Sequence, residues 1–135
     1  MKRTLNSFII FVLAFGFFNA TSMELDKYEA KVAVIKFKTK VIDYGTIEQN
    51  SDGTRFFSFT NEGDAPLLIT KVKTSCGCTV PSYSKVPILP GDSGEVEIKY
   101  NTNKLGAFTK TITVISNAEG GNKILKIKGN IIASK

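Results

Sequence analysis

Histidine and tryptophan are both absent from this 135-residue chain. Without imidazole, no Ser-His-Asp or Cys-His apparatus can be assembled within it. The usual imidazole-based metal sites are excluded as well. No metal ligand set and no cofactor motif stands out. Cysteine is scarce, with two residues, and both lie in the single tripeptide Cys76-Gly77-Cys78. No apolar run reaches the roughly 20 residues that a membrane-spanning helix needs. Nor does any segment sustain a helical period.

The longest apolar stretch, Phe8 to Phe18, lies near the start. It follows Lys2 and Arg3, and small residues Ala20, Thr21 and Ser22 come after it. A basic start, a short apolar middle and a small-residue end are the marks of a secretory signal peptide. We expect residues 1–22 to be that signal, 23–31 a charged leader, and 32–135 one folded domain. The expected location is therefore exported, either periplasmic or extracellular, with no transmembrane anchor in the mature chain. Lys and Arg total 18 against 12 Asp and Glu. That surplus is modest, and export argues against a nucleic-acid partner.

From Val32 onward, short alternating runs are separated by turn residues. Ile35 and Phe37 alternate with Lys36, Lys38 and Lys40. Val41 to Ile47 reads as a kinked strand around Tyr44-Gly45. Phe57 and Phe59 point inward from Arg55–Thr60. In Pro66–Lys73, Leu67 and Ile69 are expected on one face, and Leu68 and Val72 on the other. Pro81 to Gly94 reads as a long connection, with a type II turn at Pro90-Gly91. Val96, Ile98 and Tyr100 alternate with Glu95, Glu97 and Lys99, the cleanest strand pattern of the chain. Phe108–Ile115 and Leu125–Ile131 follow. About seven strands of this kind predict an all-β, immunoglobulin-like antiparallel sandwich, with a closed barrel as runner-up.

Several motifs occur in order. They are Phe57-Ser-Phe-Thr-Asn61-Glu-Gly63, Ala65-Pro66-Leu67-Leu-Ile69 and Val72-Lys-Thr-Ser-Cys76-Gly77-Cys78-Thr79. Pro87-Ile-Leu-Pro90-Gly91, Gly106-Ala-Phe108, Ser116-Asn117 and Leu125-Lys-Ile127-Lys-Gly129 complete the series. The ordered set, from about Tyr44 to Ile131, resembles the bacterial domain of unknown function numbered fifteen seventy-three. That resemblance implies an exported immunoglobulin-like sandwich, similar in fold to major sperm protein. It implies no activity.

The chemically loaded feature is Cys76-Gly77-Cys78. In an oxidising compartment the default for two cysteines is a disulfide. Bridging across one residue requires a bend, which Gly77 can adopt, including by positive φ. Closing so short a loop is worth only about 1.6 kcal/mol by chain entropy, below the usual ~2–4 kcal/mol. A clip that sets the shape of the turn therefore explains the tripeptide better than a global staple. Two sharper readings stay open. One is thiol–disulfide exchange, with Lys71, Lys73 and Lys85 near in sequence to favour thiolates. The other is a soft ion such as Cu(I) held by two thiolates.

A weaker feature is basic alternation. Lys36, Lys38 and Lys40 could share one patch with Lys126 and Lys128, if the first and last strands were neighbours. Such a patch would suit anionic glycan or lipid headgroups. The plainer alternative is a solvated face whose charges deter edge aggregation. The expected role is a non-catalytic exported module with an envelope protein or glycan partner.

Overall fold

A computed structural model describes residues 29–135 together with Gly16. The expected signal peptide and most of the leader lie outside the described residues. Glu29, Ala30 and Lys31 are exposed and carry no regular structure.

Eight strands follow in chain order: β1 (Ile35–Phe37), β2 (Val41–Glu48), β3 (Thr54–Asn61), β4 (Ile69–Thr74), β5 (Thr79–Tyr83), β6 (Ser93–Tyr100), β7 (Gly106–Ser116) and β8 (Lys123–Ile132). They form two four-stranded sheets, β1-β3-β6-β5 and β2-β8-β7-β4. We refer to these as sheet A and sheet B. Every pairing is antiparallel except β2 beside β8, which is parallel. Two separate sheets exclude the closed barrel.

Alternation explains which face each strand buries. Phe57, Val96, Ile98, Ile112, Val114, Leu125 and Ile127 are fully buried, and all lie on inner faces. Burying each such side chain contributes roughly 1.5–3 kcal/mol. An aromatic group closes one end of this core. Tyr100 stacks on Phe108 with centroids 4.0 Å apart, and Tyr44 meets Phe108 edge-on at 5.3 Å.

The structure corrects four expectations. First, β5 occupies Thr79–Tyr83, where the sequence suggested the start of a connection. Pro81 is tolerated because β5 is an edge strand, whose unpaired side needs no N–H. Second, Leu67, Ile69 and Val72 are all buried. A register shift between Ile69 and Lys71 turns Val72 to the same side as Ile69. Third, the first run is a strand only over Ile35–Phe37. The chain then passes from sheet A to sheet B across Lys38–Lys40. Fourth, β1 and β8 are not neighbours, so Lys36 and the Lys126–Lys128 pair stand on different sheets and the patch conditional on that neighbourhood does not form.

The type II turn does form. Gly91 has φ 84°, and the Asp92 N–H donates to Leu89 O at 2.9 Å.

Asn61 ends β3 at the opposite pole from the aromatic cluster, and it is completely buried. Its Nδ2 donates to Ala65 O at 2.8 Å and to Ile88 O at 2.9 Å. Its Oδ1 accepts from Gly63 N at 3.0 Å and from Val34 N at 3.3 Å. Next to it, a Cβ at Gly63 would lie 2.2 Å from Val32 O. Only glycine admits that approach, so Asn61-Glu62-Gly63 is one packing unit.

Asn61→Ala would strand buried donors and acceptors, each costing ~1–3 kcal/mol. We expect a loss of about 3 kcal/mol or more in urea unfolding, against no more than ~0.5 kcal/mol for the exposed neighbour in Glu62→Ala.

Candidate functional site

Thr74 is the last residue of an edge strand of sheet B, and Thr79 is the first residue of an edge strand of sheet A. Cys76-Gly77-Cys78 is the chain's passage between the two sheets. It is tied to both. The Ser75 N–H donates to Thr111 O of β7 at 3.0 Å, and Ser75 Oγ accepts from the Thr111 N–H at 3.1 Å. On the other side, Asn101 N donates to Cys78 O at 2.8 Å. Across the passage, Thr74 Oγ1 donates to Cys76 O at 2.9 Å. Farther along, the Tyr83 hydroxyl of β5 donates to Thr70 O of β4 at 3.2 Å, holding the two edge strands together.

Within the tripeptide the sulfurs of Cys76 and Cys78 face each other in disulfide geometry, with Cα atoms 5.4 Å apart. Both residues are half-buried, and Cys78 packs against the core. Thr79 Oγ1 lies 3.9 Å from Cys76 Sγ.

Gly77 departs from expectation. Positive φ occurs at Gly45, Asn50, Gly91, Gly106, Gly120 and Gly121, but not at Gly77. A Cβ there would meet nothing within 4 Å. The bend needs neither a left-handed backbone nor close approach at this residue. Among the described residues, no ion pair or hydrogen bond links the lysines near in sequence to either sulfur. Lys71 and Lys73 are exposed on the outer face of sheet B, and Lys85 Nζ sits 3.9 Å from the Tyr83 ring centroid.

Gly77 and Cys78 are part of the lining of an open groove of about 640 Å³. The turn Asn50–Gly53, the segment Lys99–Asn103 and Val80 complete its lining. The sequence marked Asn50–Gly53 only as a turn. Nothing local announced that it would share a groove with Gly77 and Cys78, some 25 residues further along the chain. The turn is firmly seated. Thr102 Oγ1 donates to Ser51 O at 2.6 Å, and Tyr100 N donates to Gly53 O at 3.1 Å. The Tyr44 hydroxyl donates to the same Gly53 O at 2.7 Å, while the Arg55 guanidinium lies 4.2 Å from the Tyr44 ring centroid.

Three groups here titrate away from their ordinary values, and burial raises Tyr100. Burial pushes Tyr44 up to about 12, and the Arg55 charge opposes that only in part. The exposed Asp52 carboxyl is held below its ordinary value, chiefly by the Thr54 N–H, which donates to it at 2.9 Å. Among the described residues, no group of three or more His, Cys, Asp and Glu side chains could hold a metal ion.

Substitution at Gly77 tests the shape of the passage. Gly77→Ala should keep the fold and raise stability by ~0.4–1 kcal/mol, because the native conformation suits alanine and the unfolded chain loses freedom. A loss beyond about 2 kcal/mol in urea unfolding would mean that the closed clip does require glycine. Alkali tests the buried phenol. Tyr44 releases its proton near its ordinary 10.0 when unfolded and near 12 when folded. Its contribution is complete below the first value and is lost as pH rises to the second. Phenolate absorbance should contain a late step that Tyr44→Phe removes.

Comparison with known proteins agrees with this architecture. The profile of the family described as "Protein of unknown function (DUF1573)" matches residues 35–131. A search of curated proteins returns no match. Among solved structures, a protein of unknown function from Porphyromonas gingivalis W83 superposes with TM-score 0.66 at 19% identity, over 75% of this chain and 48% of that one. This chain thus spans about half the length of that protein. The ASH/PapD-like domain 7 of human CEP192 gives TM-score 0.64 at 10% identity, covering 77% of this chain and 89% of that one. The YadV chaperone gives 0.56 at 11% identity, over 72% and 51% respectively. At these identities the likeness establishes the immunoglobulin-type sandwich and nothing finer. The family profile reaches further, spanning most of the chain and every element from β1 to β8, so the chain belongs to the DUF1573 family.

Proposed function

We propose that this domain is an exported, non-catalytic interaction module of the bacterial envelope, in which oxidised Cys76 and Cys78 act as a shape-fixing clip. The observation that carries the reading is the position of the tripeptide. It bridges the two sheets, accepts hydrogen bonds from Thr74 of β4 and from Asn101 just past β6, and places Gly77 and Cys78 in the lining of the open groove. The turn Asn50–Gly53 in the same lining offers backbone and short polar side chains, suited to holding a surface shape. Fold likeness to a chaperone and to PapD-like domains supports an interaction role. A signal-like start supports export, and export supports the oxidised pair.

The test combines chemistry with genetics. Cys76→Ser with Cys78→Ser should fold, lose about 1.6 kcal/mol or less, and restore whatever envelope defect deletion causes. A folded double variant that fails to restore it would overturn the reading in which the cysteines carry no chemistry.

One observation favours thiol exchange as a second reading: Cys78 is among the residues that line the open groove. In that case a substrate dithiol would leave as a disulfide, passing two electrons and two protons to Cys76 and Cys78. Intact mass of the isolated exported protein, with and without alkylation, reads the cleavage site, the oxidation state and any bound metal together. A pair that stays oxidised in mild glutathione buffer removes the exchange reading. A copper adduct would instead support the soft-metal carrier.

A further inference from the structure

The two outer faces of the sandwich differ in charge. On sheet A, Lys36, Lys38 and Lys99 are offset in part by Glu95 and Glu97. Sheet B is different. Its register places Lys73, Thr113 and Ile124 in one row across β4, β7 and β8. The next row is Thr111, Lys126 and Val41, and the next is Thr109, Lys128 and Asp43. Lys71 stands opposite Ile115 on the same face. Same-side residues on a strand are about 7 Å apart, and adjacent strands about 4.8 Å. Four lysines therefore occupy four successive rows of one face, Lys71 and Lys73 on β4 and Lys126 and Lys128 on β8.

Their neutralisation is slight. Lys128 Nζ meets Asp43 Oδ2 at 3.9 Å, with the two side chains 50% and 60% exposed. Such a pair is weak in water. Glu48, the other carboxylate on this face, pairs in register with Ile132 at its far end.

Edge protection does not account for the arrangement. It would explain Lys71 and Lys73 on the edge strand β4, but Lys126 and Lys128 lie on β8, flanked on both sides. The lysines are also interleaved with two exposed apolar side chains, Ile124 at 53% and Val41 at 47%. Threonine hydroxyls of β7 lie between the two lysine strands. Several cations on one face, with hydroxyl donors and exposed aliphatic groups among them, match one kind of surface. Phosphate headgroups take the cations and hydroxyls, and the acyl boundary takes the aliphatic side chains.

We infer that the outer face of sheet B docks on an anionic phospholipid bilayer. This names one partner for the interaction module, and it stands apart from the cysteine pair, which the test leaves untouched.

The test is co-sedimentation of the full chain, purified after any processing, with two vesicle types. One is phosphatidylcholine alone, the other phosphatidylcholine mixed with phosphatidylglycerol. Binding should require phosphatidylglycerol and fall as salt rises from about 0.1 to 0.5 M. Lys126→Gln with Lys128→Gln should weaken it roughly 25-fold, at about fivefold per lysine. Lys36→Gln with Lys99→Gln on sheet A should change it less than about twofold. All variants share the same N-terminal segment, so the difference reads the face alone. If the β8 pair fails to fold by circular dichroism, Lys71→Gln with Lys73→Gln replaces it, with the same loss expected. No binding to phosphatidylglycerol vesicles, equal losses from both faces, or binding only to a soluble acidic polymer such as heparin or polyglutamate would each overturn the inference.

Discussion

A single buried carboxamide holds together one pole of this sandwich. Asn61 has no contact with water, yet all its hydrogen-bonding capacity toward neighbouring backbone is used. It fastens the segment before β1, the turn after β3 and the segment before β6. Its own backbone N–H and C=O are also engaged, with Asp92 and Gly91. Segments far apart in the chain reach one point because a buried polar group must be satisfied or expelled. The glycine two residues on permits the close approach, so the motif works as a unit.

At the other pole the chain faces a related problem with a different answer. It must leave one sheet and enter the other. The Cys76-Gly77-Cys78 passage does this between two edge strands, with Ser75 bonded to Thr111 of sheet B and Cys78 to Asn101 just past β6. The local ring adds little to global stability, but the passage decides where the edges of β4 and β5 lie. It also places Gly77 and Cys78 in the lining of the groove. The aromatic cluster behind the groove, with Tyr44 donating to Gly53, makes that end rigid. The cysteines thus belong to the architecture of one end as much as to any chemistry.

Charge is distributed with the same disregard for sequence neighbourhood. Lys71 and Lys73 share a face with Lys126 and Lys128, although some 50 residues separate them along the chain. Lys36, whose alternation resembles theirs, belongs to the other sheet. The outer face of sheet B carries four lysines, and the cysteine passage lies at its rim, beside Ser75, which bonds Thr111 in the Lys126 row.

The amino-acid pattern by itself determined the class of structure. Period-two alternation is local, so it identified Val96, Ile98 and Tyr100 as inward and Glu95, Glu97 and Lys99 as outward. Pro90-Gly91 specified its turn for the same reason. The missing histidine excluded whole classes of chemistry on composition alone. Partner choice between strands is another matter. Any strand edge can bond any other, and alternation carries no label for its neighbour. Only tertiary pairing could place β2 parallel to β8, or reveal a strand around Pro81 once an edge position freed it from donating. It alone satisfied Asn61, turned Val72 inward through a register shift, and brought Asn50–Gly53 into one groove with Gly77 and Cys78. The tripeptide was legible as the chemically loaded feature; its place as the joint between two sheets was decided by contacts that no local stretch of residues encodes.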